Sequence, residues 1–217
     1  MMEQMLPAEI VSVESWGDDD SAFLLPAERA QSGNAIESRI SEFATARSCA
    51  RQALNKLGIS PDVILRGSKG EPIWPSGVIG SITHCAGYRA AAVAPTAKFA
   101  AIGIDAEIHD ALPPEVLESV CVPEEIAWLD KASDEMHWDR VLFSAKESIY
   151  KAWFPLTKSW LGFEQVVVTV DVARHTFYAR VLDSMPDQFA AVIRQLSGRF
   201  LIRSGIILTC AFSPTRF

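Results

Sequence analysis

Residues 38–58 read SRISEFATARSCARQALNKLG, with Ile40, Phe43, Ala44, Ala50, Leu54 and Leu57 at near-helical spacing. The pattern predicts one helix, with Gly58 as its C-cap. VILRGSKGEPIWPSG, residues 63–77, predicts a short strand and then a turn-rich loop of Gly and Pro. VIGSITH (78–84) and YRAAAVA (88–94) predict a strand pair, and AAIGIDAEI (100–108) another strand. Pro113 and Pro114 open a helix expected to run to about residue 129, and a second helix covers roughly 136–154. FEQVVVTVD, HTFYARVLD and GIILTCAF bring strands to the last third. The first thirty residues are mixed, with an acidic cluster at Asp18, Asp19 and Asp20. The order is not a regular β–α–β alternation, so the expected class is α+β, with two lobes meeting near residues 105–112.

The helix at 136–154 raises a chemical question. Leu142, Ala145, Ile149, Ala152 and Trp153 form one apolar stripe, the core face. Phe143, Tyr150 and Phe154 form a second stripe beside it, and Glu147 falls in its middle. Lys151 is one turn further on, and Lys146 projects between the stripes. A carboxylate among aromatics is partly desolvated, which is costly without a partner. An i,i+4 Glu–Lys pair on a solvated face accounts for the charges but not for the aromatics.

In GIDAEI, Ile102, Ile104, Ala106 and Ile108 point one way, and Gly103, Asp105 and Glu107 the other. Two carboxylates thus lie on one face, about 7 Å apart at the Cα level. An exposed acidic strand gives the same pattern. A hard cation between them is the other solution, and all-oxygen ligands suit Mg²⁺ or Mn²⁺ better than zinc.

Four weaker signals remain. His84 follows a strand and precedes a Gly turn. Lys69, Gly70, Glu71 and Pro72 sit in a rigid loop that fits a flat ring as well as it fits a plain turn. Arg39 and Arg47, two turns apart on the early helix, suit a phosphate or a solvated face, with Arg51 the alternative for either. Leu156, Lys158, Trp160 and Phe163 mark either a contact surface or a core-packing turn.

Composition narrows the classes. The 217 residues are 49% hydrophobic and 22% charged, enough for one ordinary domain or two small lobes sharing a core. A net charge of −7 argues against general nucleic-acid binding. The four cysteines lie far apart and read as free thiols in a reducing compartment. No signal-peptide pattern is visible at the start, and no apolar stretch approaches the roughly 20 residues of a membrane helix. A cytoplasmic protein without a membrane partner is expected.

The joint order is more specific than any single signal. KGEPxWP, GSxTH, GIDxE and FSxKExxYKAW, in this sequence and spacing, resemble the 4′-phosphopantetheinyl transferases. The resemblance is to the larger, pseudo-dimeric branch of the enterobactin-synthetase component D and surfactin-synthetase activator type, and it covers residues 39–162. It departs at Phe143, where the surfactin branch usually has Trp.

The resemblance implies transfer of the 4′-phosphopantetheine arm of coenzyme A to a serine of an apo acyl or peptidyl carrier protein, giving adenosine 3′,5′-bisphosphate. It implies two similar lobes related by pseudo-twofold symmetry, 1–104 and 105–217, with the site between them in a monomer. Asp105, Glu107 and Glu147 are then the Mg²⁺ ligands. Glu147 is also the general base, directly or through a water on the metal, and Lys151 neutralises charge on the leaving phosphate. Arg39, Arg47, Lys69, Gly70, Glu71, Pro72, Thr83, His84, Asp105, Lys146 and Lys151 would contact CoA. Leu156, Lys158 and Trp160 would meet the carrier. A CoA-binding module or a Mg²⁺-dependent phosphohydrolase without carrier transfer is the alternative.

Overall fold

The computed structural model describes residues 1–60, 63–133, 135–182 and 186–215. Two antiparallel sheets carry the architecture. β1 (Val11–Trp16), β3 (Tyr88–Pro95) and β2 (Val78–Cys85) form a three-stranded sheet in the order β1-β3-β2. β4 (Phe99–Ile108), β8 (Ile206–Pro214), β7 (Ser197–Arg203), β6 (Thr176–Val181) and β5 (Val166–Asp171) form a five-stranded one in that order. The α+β class expected from the element order is observed.

Each sheet packs a long helix on one face. α2 (Glu37–Lys56) sets Cys49, Ala50, Ala53 and Leu54 against Val78, Ala91 and Val93. α5 (Trp138–Thr157) sets Leu142, Ala145, Ile149, Ala152 and Trp153 over the five-stranded sheet, the stripe that its periodicity predicted. The other faces of the two sheets share a third core, where Ile102, Ile104 and Ala106 meet Tyr88, Ala90, Leu208 and Phe212. β4 therefore alternates as expected, its Ile side in this core and its Gly103–Asp105 side toward α5.

The sheets meet where edge β2 lies beside edge β4. Two hydroxyls of β2 replace the carbonyls of a normal ladder: Ser81 Oγ accepts the Ile104 N–H at 3.1 Å, and Thr83 Oγ1 accepts the Ala106 N–H at 3.0 Å. Those buried amides would otherwise be unpaired.

Several expected elements differ. The single helix from 113 to 129 is two, α3 (Pro114–Val120) and α4 (Pro123–Leu129). Pro123 lacks an N–H and biases Val122 to its observed extended conformation, which breaks the helix. Residues 63–77 contribute a bridge between Arg66 and Pro72 in place of a strand. β1, α1 (Pro26–Gln31), α6 (Asp187–Arg194) and β7 were not among the expected elements. The last residue of HTFYARVLD lies outside the described residues. Among the described residues no helix is long and apolar enough to cross a membrane, and all four cysteines are free thiols.

Candidate active site

Gly103 sets the geometry. A Cβ at this position would press into the Ser148 carbonyl and lie 2.6 Å from the Ala152 nitrogen, so β4 and α5 approach backbone to backbone only because it is glycine. The close approach places Asp105 of β4 beside the middle of α5. Asp105 is 4% exposed. Its Oδ2 accepts from Ser144 Oγ at 2.8 Å, and its Oδ1 accepts from Lys151 Nζ at 2.7 Å and from Thr83 Oγ1 at 3.3 Å. Thr209, the neighbour of Asp105 across β8, lies 2.9 Å from Ser144 Oγ and donates to the Ser144 carbonyl.

Glu147 and Lys151 line a cavity of about 510 Å³, with Lys69, Glu71, Trp74, Gly80, Tyr150 and Phe154. Burial raises the Glu147 pKa, repulsion from Asp105 adds to that, and Lys151 opposes it. Glu107 is pushed up to about 6, first by burial and then by Asp105, against the pull of Arg140 and Lys151. Its Oε2 accepts from Arg140 Nη1 at 3.1 Å. Among the described residues, no three Asp, Glu, His or Cys side chains are grouped closely enough to hold an ion as they stand.

A second cavity of about 370 Å³ adjoins the first through the shared walls Gly70, Pro72 and Ile82. Its basic residues are Arg39, Arg47, Arg66 and His84. The Arg47 and Arg66 guanidinium groups lie 4.3 and 5.9 Å from the Phe43 ring centre. Burial lowers the Arg47 pKa to about 10, and its Nε is tied to the Ile64 carbonyl at 2.9 Å. Glu42 brings a carboxylate into the same cavity, 2.7 Å from Arg39 and 3.9 Å from His84 Nε2. The His84 pKa is lowered, chiefly by burial. The loop between the cavities is folded by its own groups. Glu71 accepts from the Lys69 N–H at 2.9 Å, its carbonyl accepts from the Gly67 N–H at 2.7 Å, and Gly70 takes φ +86°.

The structure brings together Asp105, Glu147 and Lys151, and in the adjoining cavity Arg39, Arg47 and His84, with Lys69, Gly70, Glu71 and Pro72 at the junction. Lys146, Thr83 and the alternative Arg51 lie apart from both cavity linings. Lys146 is 3% exposed; its ammonium pairs with Glu125 at 2.7 Å and donates to the Val120 and Phe163 carbonyls at 2.7 and 2.9 Å. It is absent from the cavity lining, and these partners compensate the burial of its charge. Thr83 is buried behind Asp105 as a brace. Arg51, the alternative to Arg39 and Arg47, is held by Glu28 at 3.0 Å and by the Phe23 carbonyl.

Leu156 and Trp160 are 44% and 70% exposed, with Lys158 at the rim of the first cavity and Phe163 packed on Phe143. Sequence reasoning missed Ser144, Thr209, Arg66 and Arg140. A small polar residue directly beside the apolar stripe of α5 was the one available signal, for Ser144.

Comparison with known proteins identifies the family. Residues 27–94 match the 4′-phosphopantetheinyl transferase N-terminal domain, and residues 101–200 match the 4′-phosphopantetheinyl transferase superfamily. The chain is 44% identical to 4′-phosphopantetheinyl transferase Npt of Nocardia iowensis, over 96% of this chain and 98% of that protein. It is 41% identical to 4′-phosphopantetheinyl transferase PptT of Mycobacterium tuberculosis, over 96% of each. With Enterobactin synthase component D of Salmonella typhi it shares 30% identity over 82% of this chain and 74% of the relative. The chain belongs to the 4′-phosphopantetheinyl transferase family.

Proposed function

We propose that the two adjoining cavities carry out transfer of the 4′-phosphopantetheine arm of CoA to a serine of an apo carrier protein. One observation carries the assignment to this cleft. Glu147 and Lys151, one turn apart on α5, line a cavity that shares the walls Gly70, Pro72 and Ile82 with a second one, which holds Arg39, Arg47, Arg66 and His84. The second cavity suits the 3′-phosphate and adenine of CoA, since charge-assisted hydrogen bonds contribute about 1.5–3 kcal/mol each. The loop of Lys69, Gly70, Glu71 and Pro72, at the junction of the two cavities, is assigned with the basic residues of the second to the 3′-phosphate and adenine.

In the reaction the serine hydroxyl attacks the pyrophosphate phosphorus that carries pantetheine. The bond from that phosphorus to the bridging oxygen breaks, and adenosine 3′,5′-bisphosphate leaves. Glu147, its pKa raised by burial, takes the serine proton. Lys151 leaves Asp105 and meets the charge developing on the departing phosphate.

The chemistry of the donor set, though not its present spacing, suits Mg²⁺. Asp105, Glu107 and Glu147 are all-oxygen donors, and Asp105 raises the pKa of the other two, a repulsion that a cation relieves. When bound, Mg²⁺ or Mn²⁺ supplies charge neutralisation for the pyrophosphate. Lys151 and Arg140 occupy two of these carboxylates as the structure stands.

Carrier recognition is assigned to Leu156, Lys158 and Trp160 beside the first cavity. The two sheets, each with a twenty-residue helix across one face, are read as lobes 1–104 and 105–217 related by pseudo-twofold symmetry, with β4 as the join. A cytoplasmic monomer is the accompanying reading.

The test is intact-mass spectrometry of apo carrier proteins incubated with this enzyme, CoA and Mg²⁺, with an EDTA control. A carrier heavier by one phosphopantetheine arm, lost with EDTA, is expected. CoA cleavage with every carrier unmodified would replace the transferase reading with a phosphohydrolase.

A further inference from the structure

Arg140 lies in the first turn of α5, two turns before Glu147. Its guanidinium makes three hydrogen bonds to the chain leaving β4. Nε donates to the Asp110 carbonyl at 3.0 Å, Nη2 to the Ala111 carbonyl at 2.9 Å and Nη1 to Glu107 Oε2 at 3.1 Å. The neighbouring Asp139 accepts the Leu112 N–H at 2.7 Å. A guanidinium is a rigid planar fork, so one acceptor on each of its three nitrogens fixes its position.

Glu107 stands two residues after Asp105, on the same face of β4. Only its Oε2 is held. Among the described residues, Oε1 has no hydrogen-bond partner. The pair is mostly shielded, with Arg140 18% and Glu107 23% exposed, unlike the open surface pairs that contribute little. Two carbonyl contacts alone would brace α5 against the 109–112 turn. The third contact goes to a carboxylate of the site.

We propose that Arg140 is a positioning residue for Glu107: it holds one oxygen of that carboxylate and leaves the other, Oε1, for the cation that Asp105, Glu107 and Glu147 would hold. This rests on the reading that Asp105, Glu107 and Glu147 hold Mg²⁺. The helix that carries Glu147 then also orients Glu107, so two carboxylates from different elements are set by one rigid body.

The probe is Mn²⁺ alone, titrated into the full-length protein and followed by electron paramagnetic resonance, alongside a Mg²⁺ titration of carrier modification. Arg140→Gln is expected to weaken Mn²⁺ binding by about 10–100-fold, the usual effect of removing a group that orients a metal ligand. The Mg²⁺ concentration for half-maximal transfer should rise by the same factor, while the rate at saturating Mg²⁺ recovers. Arg140→Lys keeps the charge without the fork and is expected to behave like Arg140→Gln; it carries the test if Arg140→Gln does not fold. Arg180→Gln, which removes an exposed pair with Glu124, is expected to change neither titration.

Unchanged Mn²⁺ binding with a lowered melting temperature would make Arg140 a structural brace and overturn the proposal. Tighter Mn²⁺ binding in Arg140→Gln would show a competing cation and overturn it too. A wild-type protein that binds no Mn²⁺ and transfers in EDTA would remove the metal reading itself, and this inference with it.

Discussion

The Lys151 ammonium lies 2.7 Å from Asp105 Oδ1, while Ser144 holds the other oxygen of the same carboxylate at 2.8 Å. Two residues of α5, seven positions apart, thus grip one side chain of β4. The pair keeps Lys151 ready at the cavity wall and shields a carboxylate that is otherwise buried.

Lys151→Ala should lower carrier modification by about 10²–10³, the usual loss when one preorganised donor at a developing charge is removed. Glu147→Gln should cost about 10²–10⁴ through loss of the general base. Single-turnover mass spectrometry at saturating CoA measures both. Near-normal turnover in either variant would take that residue out of the chemistry.

Gly103→Ala should separate α5 from β4, because the added methyl meets backbone atoms that cannot rotate away. Overpacking of this kind costs about 1–3 kcal/mol. Thermal melts should show that loss, and transfer should fall with it as Glu147 and Lys151 move off Asp105. Unaltered stability and activity would mean that the helix can shift without consequence.

Lys146 gives a test that separates fold from site. It forms a buried ion pair with Glu125. Breaking such a pair by removing one partner costs about 3–5 kcal/mol. Lys146→Met should therefore lower the denaturation midpoint strongly and leave the affinity of the remaining folded protein for CoA unchanged. A variant of normal stability with weakened CoA binding would return Lys146 to the phosphates.

Glu107 predicts a pH dependence for the metal-free protein. Its pKa is raised from 4.5 to about 6, mainly by burial, so the folded state holds the proton more tightly than the unfolded one. Its stabilising effect is full below 4.5 and is lost as pH rises through about 6, a fall on the order of 2 kcal/mol. In EDTA, wild-type stability minus that of Glu107→Gln should decrease by this amount across the window. A difference that is flat with pH would contradict the shift.

The sequence made the helix stripes and the β4 alternation legible because both are local periodicities. Glu147, Lys151 and Asp105 followed from them as residues that break an apolar pattern. What surrounds them was not legible. Ser144 and Thr209 matter because β4 pairs with β8 more than a hundred residues away, and no local pattern encodes that pairing. The Lys146–Glu125 pair was not legible for the same reason, since Glu125 sits on a helix that begins at the break made by Pro123. Nor was it legible that Arg39 and Arg47 line the second cavity while Glu28, buried and bonded to the Ile64 amide, holds Arg51.

The seam where Ser81 and Thr83 bond to Ile104 and Ala106 has a consequence for handling and for evolution. β2 and β4 are the two sheet edges that conceal each other there. Exposed edges template pairing with other chains. Thr83 also bonds Asp105, so whatever opens the seam both loosens the active carboxylate and bares two aggregation-prone strands. Solubility and activity are thereby tied to the same few hydroxyl groups, and variants that lose one should tend to lose the other.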